Sequence, residues 1–61
     1  MKSSELLRLL KKDGWFVIRQ SGSHLIMNHP FKRGKIVFPS HGSKEMAKGL
    51  EKNIKKEAGL N

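Results

Sequence analysis

The sequence predicts an α+β fold in which a helix, three antiparallel strands and a second helix follow in order, with both helices on one face of the sheet. Three observations carry this. Apolar residues recur at helical spacing near each end of the chain: Leu6, Leu7, Leu9 and Leu10, then Met46, Ala47, Leu50, Ile54 and Ala58. Between them lie three short β-prone runs separated by glycine and proline. A three-stranded sheet needs one face covered to be stable, and two amphipathic helices supply that cover.

Each element has its own signals. Ser3 or Ser4 is placed to cap the first helix, with Glu5 in its first turn and Lys11 and Lys12 in its last, where each charge suits the helix dipole. Gly14 is the stop, because glycine accepts the left-handed conformation of a C-terminal cap. Trp15 to Gln20 is the first strand, and Ser21-Gly22 forms a tight hairpin connection. Ser23 to Asn28 returns as the second strand and ends at His29-Pro30, since proline cannot donate to a sheet. A basic turn, Phe31-Lys32-Arg33-Gly34, leads to a third strand at Lys35 to Phe38, stopped by Pro39.

Ser43 is expected to cap a second helix running to about Ala58. Its opposite arc carries Lys44, Lys48, Lys52, Lys55 and Lys56, with Glu51 spaced to pair Lys55. Gly49 inside this helix is read as a mark of close packing, and Gly59 as the stop, with Leu60 folding back as the apolar partner of the cap. The expected core face of the sheet is Phe16, Ile18, Ile26, Ile36 and Phe38, with Trp15 also inside. That parity turns His24 inward unless a bulge or twist near the turn releases it.

Size and composition bound the function. Sixty-one residues make one domain, 1–61, with a small core and no room for a deep pocket or a cofactor domain. There is no cysteine, so disulfides and thiolate zinc sites are excluded. No apolar run approaches the roughly 20 residues that span a bilayer, and no signal-peptide pattern opens the chain. The expectation is a soluble, cytoplasmic protein without membrane contact. Thirteen Lys and Arg against five Asp and Glu give a net charge of +8, which implies a polyanionic partner, most often nucleic acid.

The three histidines, His24, His29 and His41, are five and twelve residues apart, which is not the helical spacing of paired zinc ligands, so no metal site is expected. His24 follows Gly22-Ser23, whose backbone amides are candidates to donate to a phosphate. RNA carries its own nucleophile, the 2′-hydroxyl. Cutting it needs a group to take that proton, charge to stabilise the phosphorane, and a proton for the leaving oxygen. One histidine among lysines and arginines supplies most of this, although a histidine in a hairpin is more often simply solvated. Arg19, Lys32, Arg33 and Lys35 are the candidate phosphate contacts. His41 is a candidate phosphate contact at the start of the second helix, against the plainer role of helping to cap it. His29 carries no assigned role. A noncatalytic module that binds duplex RNA, or one that binds an acidic protein, fits the same charge.

Gly14-Trp15, Arg19, Gly22-Ser23-His24, Pro39-Ser40-His41 and the closing Lys-Gly-Leu…Ile-Lys-Lys-Glu-Ala-Gly-Leu resemble the HicA toxin family over almost the whole chain. The resemblance implies a fold like that of double-stranded-RNA-binding domains. It implies the toxin half of a type II toxin–antitoxin pair, an mRNA interferase that blocks translation by cutting RNA. It places the catalytic histidine at His24. It also implies a HicB antitoxin that covers the active surface, with any DNA binding made through that partner.

Overall fold

A computed structural model describes residues 1–60. It contains α1 (Ser3–Asp13), β1 (Phe16–Ser21), β2 (His24–Asn28), β3 (Ile36–Pro39) and α2 (Lys48–Ala58). The strands form one antiparallel sheet of order β1-β2-β3. Leu6 and Leu10 of α1, Ile54 and Ala58 of α2, and Leu25, Met27, Ile36 and Phe38 of the sheet join Trp15 and Met46 in one buried cluster. Both helices therefore lie on one face, as expected, and the other face is open. Leu6 and Leu10 are completely buried; cutting either back to alanine costs about 2–5 kcal/mol, a large share of the stability of so small a protein.

Both helices end as their glycines direct. At α1, the Gly14 amide donates to Lys11 O (3.1 Å) and the Trp15 amide to Leu10 O (3.0 Å). At α2, the Gly59 amide donates to Lys56 O (3.2 Å) and the Leu60 amide to Lys55 O (2.9 Å). These are Schellman pairs, and in each the residue after the glycine packs on the core. Gly14, at φ +120°, has a second reason to be glycine: a Cβ there would lie 2.8 Å from His29 Nε2.

The helix starts differ from expectation. Neither Ser3 nor Ser4 caps α1: its N-cap is Lys2, whose amide donates to Glu5 Oε1 (3.2 Å). The next two amides are satisfied from afar, Ser3 N–H by Lys44 O and Ser4 N–H by Gly42 O, both at 2.9 Å. In a helix capped by Ser43 the Lys44 carbonyl would accept an intrahelical bond. It is committed to α1 instead; residues 40–46 form an irregular strap over the N-terminus of α1, and α2 starts at Lys48 with Ala47 as its N-cap. Met46 is buried from the strap, not from a helix. Gly49 has open space where a Cβ would stand, so close packing is not its reason, and Leu50 is 42% exposed. The Glu51–Lys55 pair forms as expected, at 3.2 Å.

The sheet faces are also reassigned. Leu25 and Met27 of β2 point inward, opposite Phe38 and Ile36 of β3, so His24 and Ile26 point outward. Phe16 and Ile18, expected in the core, are exposed, because every residue of β1 lies beyond the edge of the helical layer. A bulge between Val17 and Arg19 leaves Ile18 without a partner on β2. A regular ladder continued from the hairpin would set Ile18 opposite Met27, on the core side; the extra residue turns it to the open face.

Candidate functional site: the hairpin tip and the open sheet face

The β1–β2 connection is Gly22-Ser23, one residue later than the sequence suggests, closed by the pair Ser21↔His24. Gly22 has φ +59° and Ser23 does not have a positive φ, the pattern of a type II′ turn. The Gly22 carbonyl accepts from Gln20 Nε2 (3.0 Å), and the Ser23 carbonyl accepts from Ser40 N–H (2.7 Å). The amides of both turn residues find no protein acceptor among the described residues. Both turn amides therefore lie next to the exposed His24, with their N–H groups free to donate.

His24 reaches solvent through the phase of β2, not through a bulge at the turn. It pairs with Ser21 on one side and Pro39 on the other. Pro39 is held in turn: its carbonyl accepts from Oγ of the buried Ser3 (3.2 Å), and that same Oγ accepts from His41 N–H (3.4 Å). The strand bearing His24 is thus fixed to α1 through β3 and the strap. His41 does not stand at a helix N-terminus, since α2 begins seven residues later. It sits exposed in the strap, two residues beyond the one that pairs with His24.

One row along the same face, Arg19, Ile26 and Val37 lie side by side across the three strands. With Ile18 and Lys35 they line a shallow depression of about 310 Å³. Arg19 and Lys35 make no ion pair among the described residues, and Arg33 lies exposed in the β2–β3 turn. No Asp or Glu occurs between Gly14 and Lys44, so the whole sheet and its turns carry charge of one sign. A larger depression of about 450 Å³ lies between the ends of the helices, at Leu9, Lys12, Asp13, Lys55 and Leu60, and contains none of the expected site residues.

Lys32 does not join the open face. Its ammonium donates to Asp13 Oδ2 (2.6 Å) and to Ala58 O (2.8 Å), joining the C-terminal ends of the two helices. The ammonium holds the Asp13 carboxyl below its ordinary range, chiefly through this hydrogen bond. His29, which the sequence left without a role, completes the same clasp. Its Nδ1 accepts the amides of Phe31 (3.0 Å) and Lys32 (3.1 Å), which leaves the proton on Nε2 to be donated to Asp13 O (2.9 Å). The ring packs edge-on against Trp15 at 5.2 Å, and Trp15 Nε1–H reaches Ala58 O at 3.3 Å. The available signal was the His-Pro step followed by two free amides, a turn that a ring nitrogen closes. Among the described residues no group of His, Asp or Glu is arranged to hold a metal ion.

Residues 3–60 match the family model described as the HicA toxin of bacterial toxin–antitoxin systems. A protein of Pseudomonas fluorescens (strain Pf0-1) named probable mRNA interferase HicA is 45% identical over 60 residues, covering 98% of this chain and 97% of that protein.

Proposed function

The chain belongs to the HicA toxin family, and on that premise we propose that it is an mRNA interferase that cuts RNA with His24 and without a metal ion. The observation that carries the reading is the placement of His24: exposed, beside the free amides of Gly22 and Ser23, on a face without carboxylates.

In its neutral form the His24 imidazole takes the proton of a 2′-hydroxyl. The 2′-oxygen attacks the adjacent phosphorus, the bond from phosphorus to the 5′-oxygen breaks, and that oxygen leaves with a proton from solvent. The products are a 2′,3′-cyclic phosphate and a 5′-hydroxyl end. The turn amides, with Arg19 and Lys35 nearby, offset the charge gathered on the phosphorane oxygens. Lys32 supports the fold, whereas Arg33 remains a phosphate contact. His41, carried by the strap behind Pro39, is the other imidazole within the same region.

The partner of such a toxin is a HicB-type antitoxin. An acid-free basic face needs to be masked, and a partner with acidic groups there associates quickly and in the right register. The reaction belongs to the cytoplasm, where mRNA is translated; no helix among the described residues is long and apolar enough to cross a membrane.

The test is to incubate the wild-type protein and His24→Ala with a long single-stranded RNA in excess EDTA and to map the ends. Cutting by wild type with cyclic or 3′-phosphate ends, reduced at least about 100-fold in the variant, is expected, the scale of a lost general base. Equal cutting by both proteins removes His24 from the chemistry. Binding by both with no cutting replaces the enzyme with an RNA-binding module.

A further inference from the structure

The depression beside His24 has an apolar floor that phosphate contacts do not explain. Ile18, Ile26 and Val37 form it, and Val37 is 55% exposed. Arg19 and Lys35 stand among them. Ile26 is two residues from His24 on the same face of β2, about 7 Å along the strand. We propose that this depression seats one unstacked base of the RNA next to the cleaved bond, so that the substrate is single-stranded. The inference rests on the ribonuclease reading and names its substrate class.

The shape favours a base. At about 310 Å³ the depression is at the small end of sites that hold compact organic ligands. Its aliphatic side chains offer apolar contact to the face of any base, and its two polar side chains, Arg19 and Lys35, are donors only. The two cations among them suit the phosphates on either side of that nucleotide. A duplex has nothing to place there, because its bases are stacked inside and it presents phosphates and 2′-hydroxyls at its surface. Turning one base out also frees its ribose to rotate, so the 2′-oxygen can line up behind the phosphorus as the attack requires.

The bulge in β1 is what builds the floor. It moves Ile18 from the core side of the ladder to the open face, next to Arg19. A plain hairpin of this sequence would have one apolar residue fewer on that face.

The test uses His24→Ala protein to prevent cutting, and fluorescence anisotropy of a labelled 12-nucleotide single-stranded RNA of mixed sequence. Val37→Glu and Leu50→Glu are compared in that background. Both add one negative charge at an exposed apolar site, but Leu50 lies on α2, away from the open face. Val37→Glu is expected to bind about tenfold more weakly, the scale of one lost base contact, and Leu50→Glu within about twofold of its parent. The same RNA annealed to its complement is expected to bind about tenfold more weakly to the unaltered surface, a comparison that does not depend on Val37→Glu folding. Equal effects of the two glutamates, duplex binding as tight as single-strand binding, or no single-strand binding at all would overturn the proposal. So would Val37→Glu made in the protein with His24 intact, if it binds and cuts RNA normally but no longer binds its antitoxin, since the face would then be a protein interface. The catalytic reading fails separately: if wild type cuts nothing while Val37→Glu still weakens single-strand binding, the base site stands and the enzyme does not.

Discussion

Replacing a glycine with alanine has opposite consequences at Gly14 and Gly49. At Gly14 the backbone has φ +120°, which side chains rarely adopt, and the new Cβ would stand 2.8 Å from His29 Nε2 and 3.3 Å from two ring carbons. The strained conformation costs about 1–2 kcal/mol. Moving the imidazole also weakens its hydrogen bond to Asp13 O and the two amides that Nδ1 accepts, which adds about 1–3 kcal/mol for three weakened hydrogen bonds around a buried ring. A total of about 2–5 kcal/mol lowers the melting temperature of a domain this size by roughly 10–40 °C. Gly49 lies in the first turn of α2 with nothing within 4 Å of a Cβ. Alanine there gains helix propensity, up to about 1 kcal/mol, and raises the melting temperature by a few degrees. Thermal and urea unfolding followed by circular dichroism measure both. If Gly14→Ala melts within two or three degrees of wild type, the clasp around His29 contributes little and the account of it is wrong.

Other outcomes follow from the same geometry. The Asp13 carboxyl is held below its ordinary value by Lys32, so the unfolded chain takes up its proton more readily than the folded one. The pair therefore stabilises the protein above the ordinary carboxylate range, and that contribution disappears as pH falls through the lowered value. Urea titrations between pH 2 and 7 are expected to show a steeper acid loss in wild type than in Asp13→Asn. Because Asp13 keeps some contact with solvent, high salt narrows the difference. Lys32→Met is expected to lower stability and leave the salt dependence of RNA binding nearly unchanged; Arg33→Ala is expected to do the reverse, reducing the salt slope by about one. A Lys32→Met protein of wild-type stability with a reduced slope would return Lys32 to the RNA contacts. Trp15→Phe removes one of the two donors to Ala58 O, Lys32 remaining as the other, and the lost hydrogen bond is expected to cost about 0.5–1.5 kcal/mol, read as a lower urea midpoint with an unchanged slope.

Much of the fold is legible residue by residue. Gly14 and Gly59 mark both helix ends, because the left-handed cap is a local conformation and its hydrogen bonds close within five residues. Gly22 marks the hairpin for a similar reason, and Pro30 and Pro39 mark the limits of β2 and β3. The helix starts were less legible. Serines before an apolar run are a local signal for a cap, but the α1 amides are satisfied by the carbonyls of Gly42 and Lys44, some forty residues away. A window along the chain contains no trace of that arrangement, and it removed the first turn of the expected second helix as well.

The candidate site divides along the same line. The sequence by itself determined the order of elements, the acid-free basic sheet, the His24 hairpin and the family to which the chain belongs. Only the tertiary structure decided which face of β2 is inside. Leu25-Ile26-Met27 is apolar throughout, so its pattern fits either phase, and a shift of one residue exchanges the faces. The packing of α1 and α2 against Leu25 and Met27 settled it, and that choice turned His24 and Ile26 to solvent. It also separated Lys32 and His29 from the basic cluster, because their partners, Asp13 and Ala58, come together only when the two helix ends meet. Local propensity fixes torsions and spacing; which side of a strand is buried depends on what the rest of the chain lays over it.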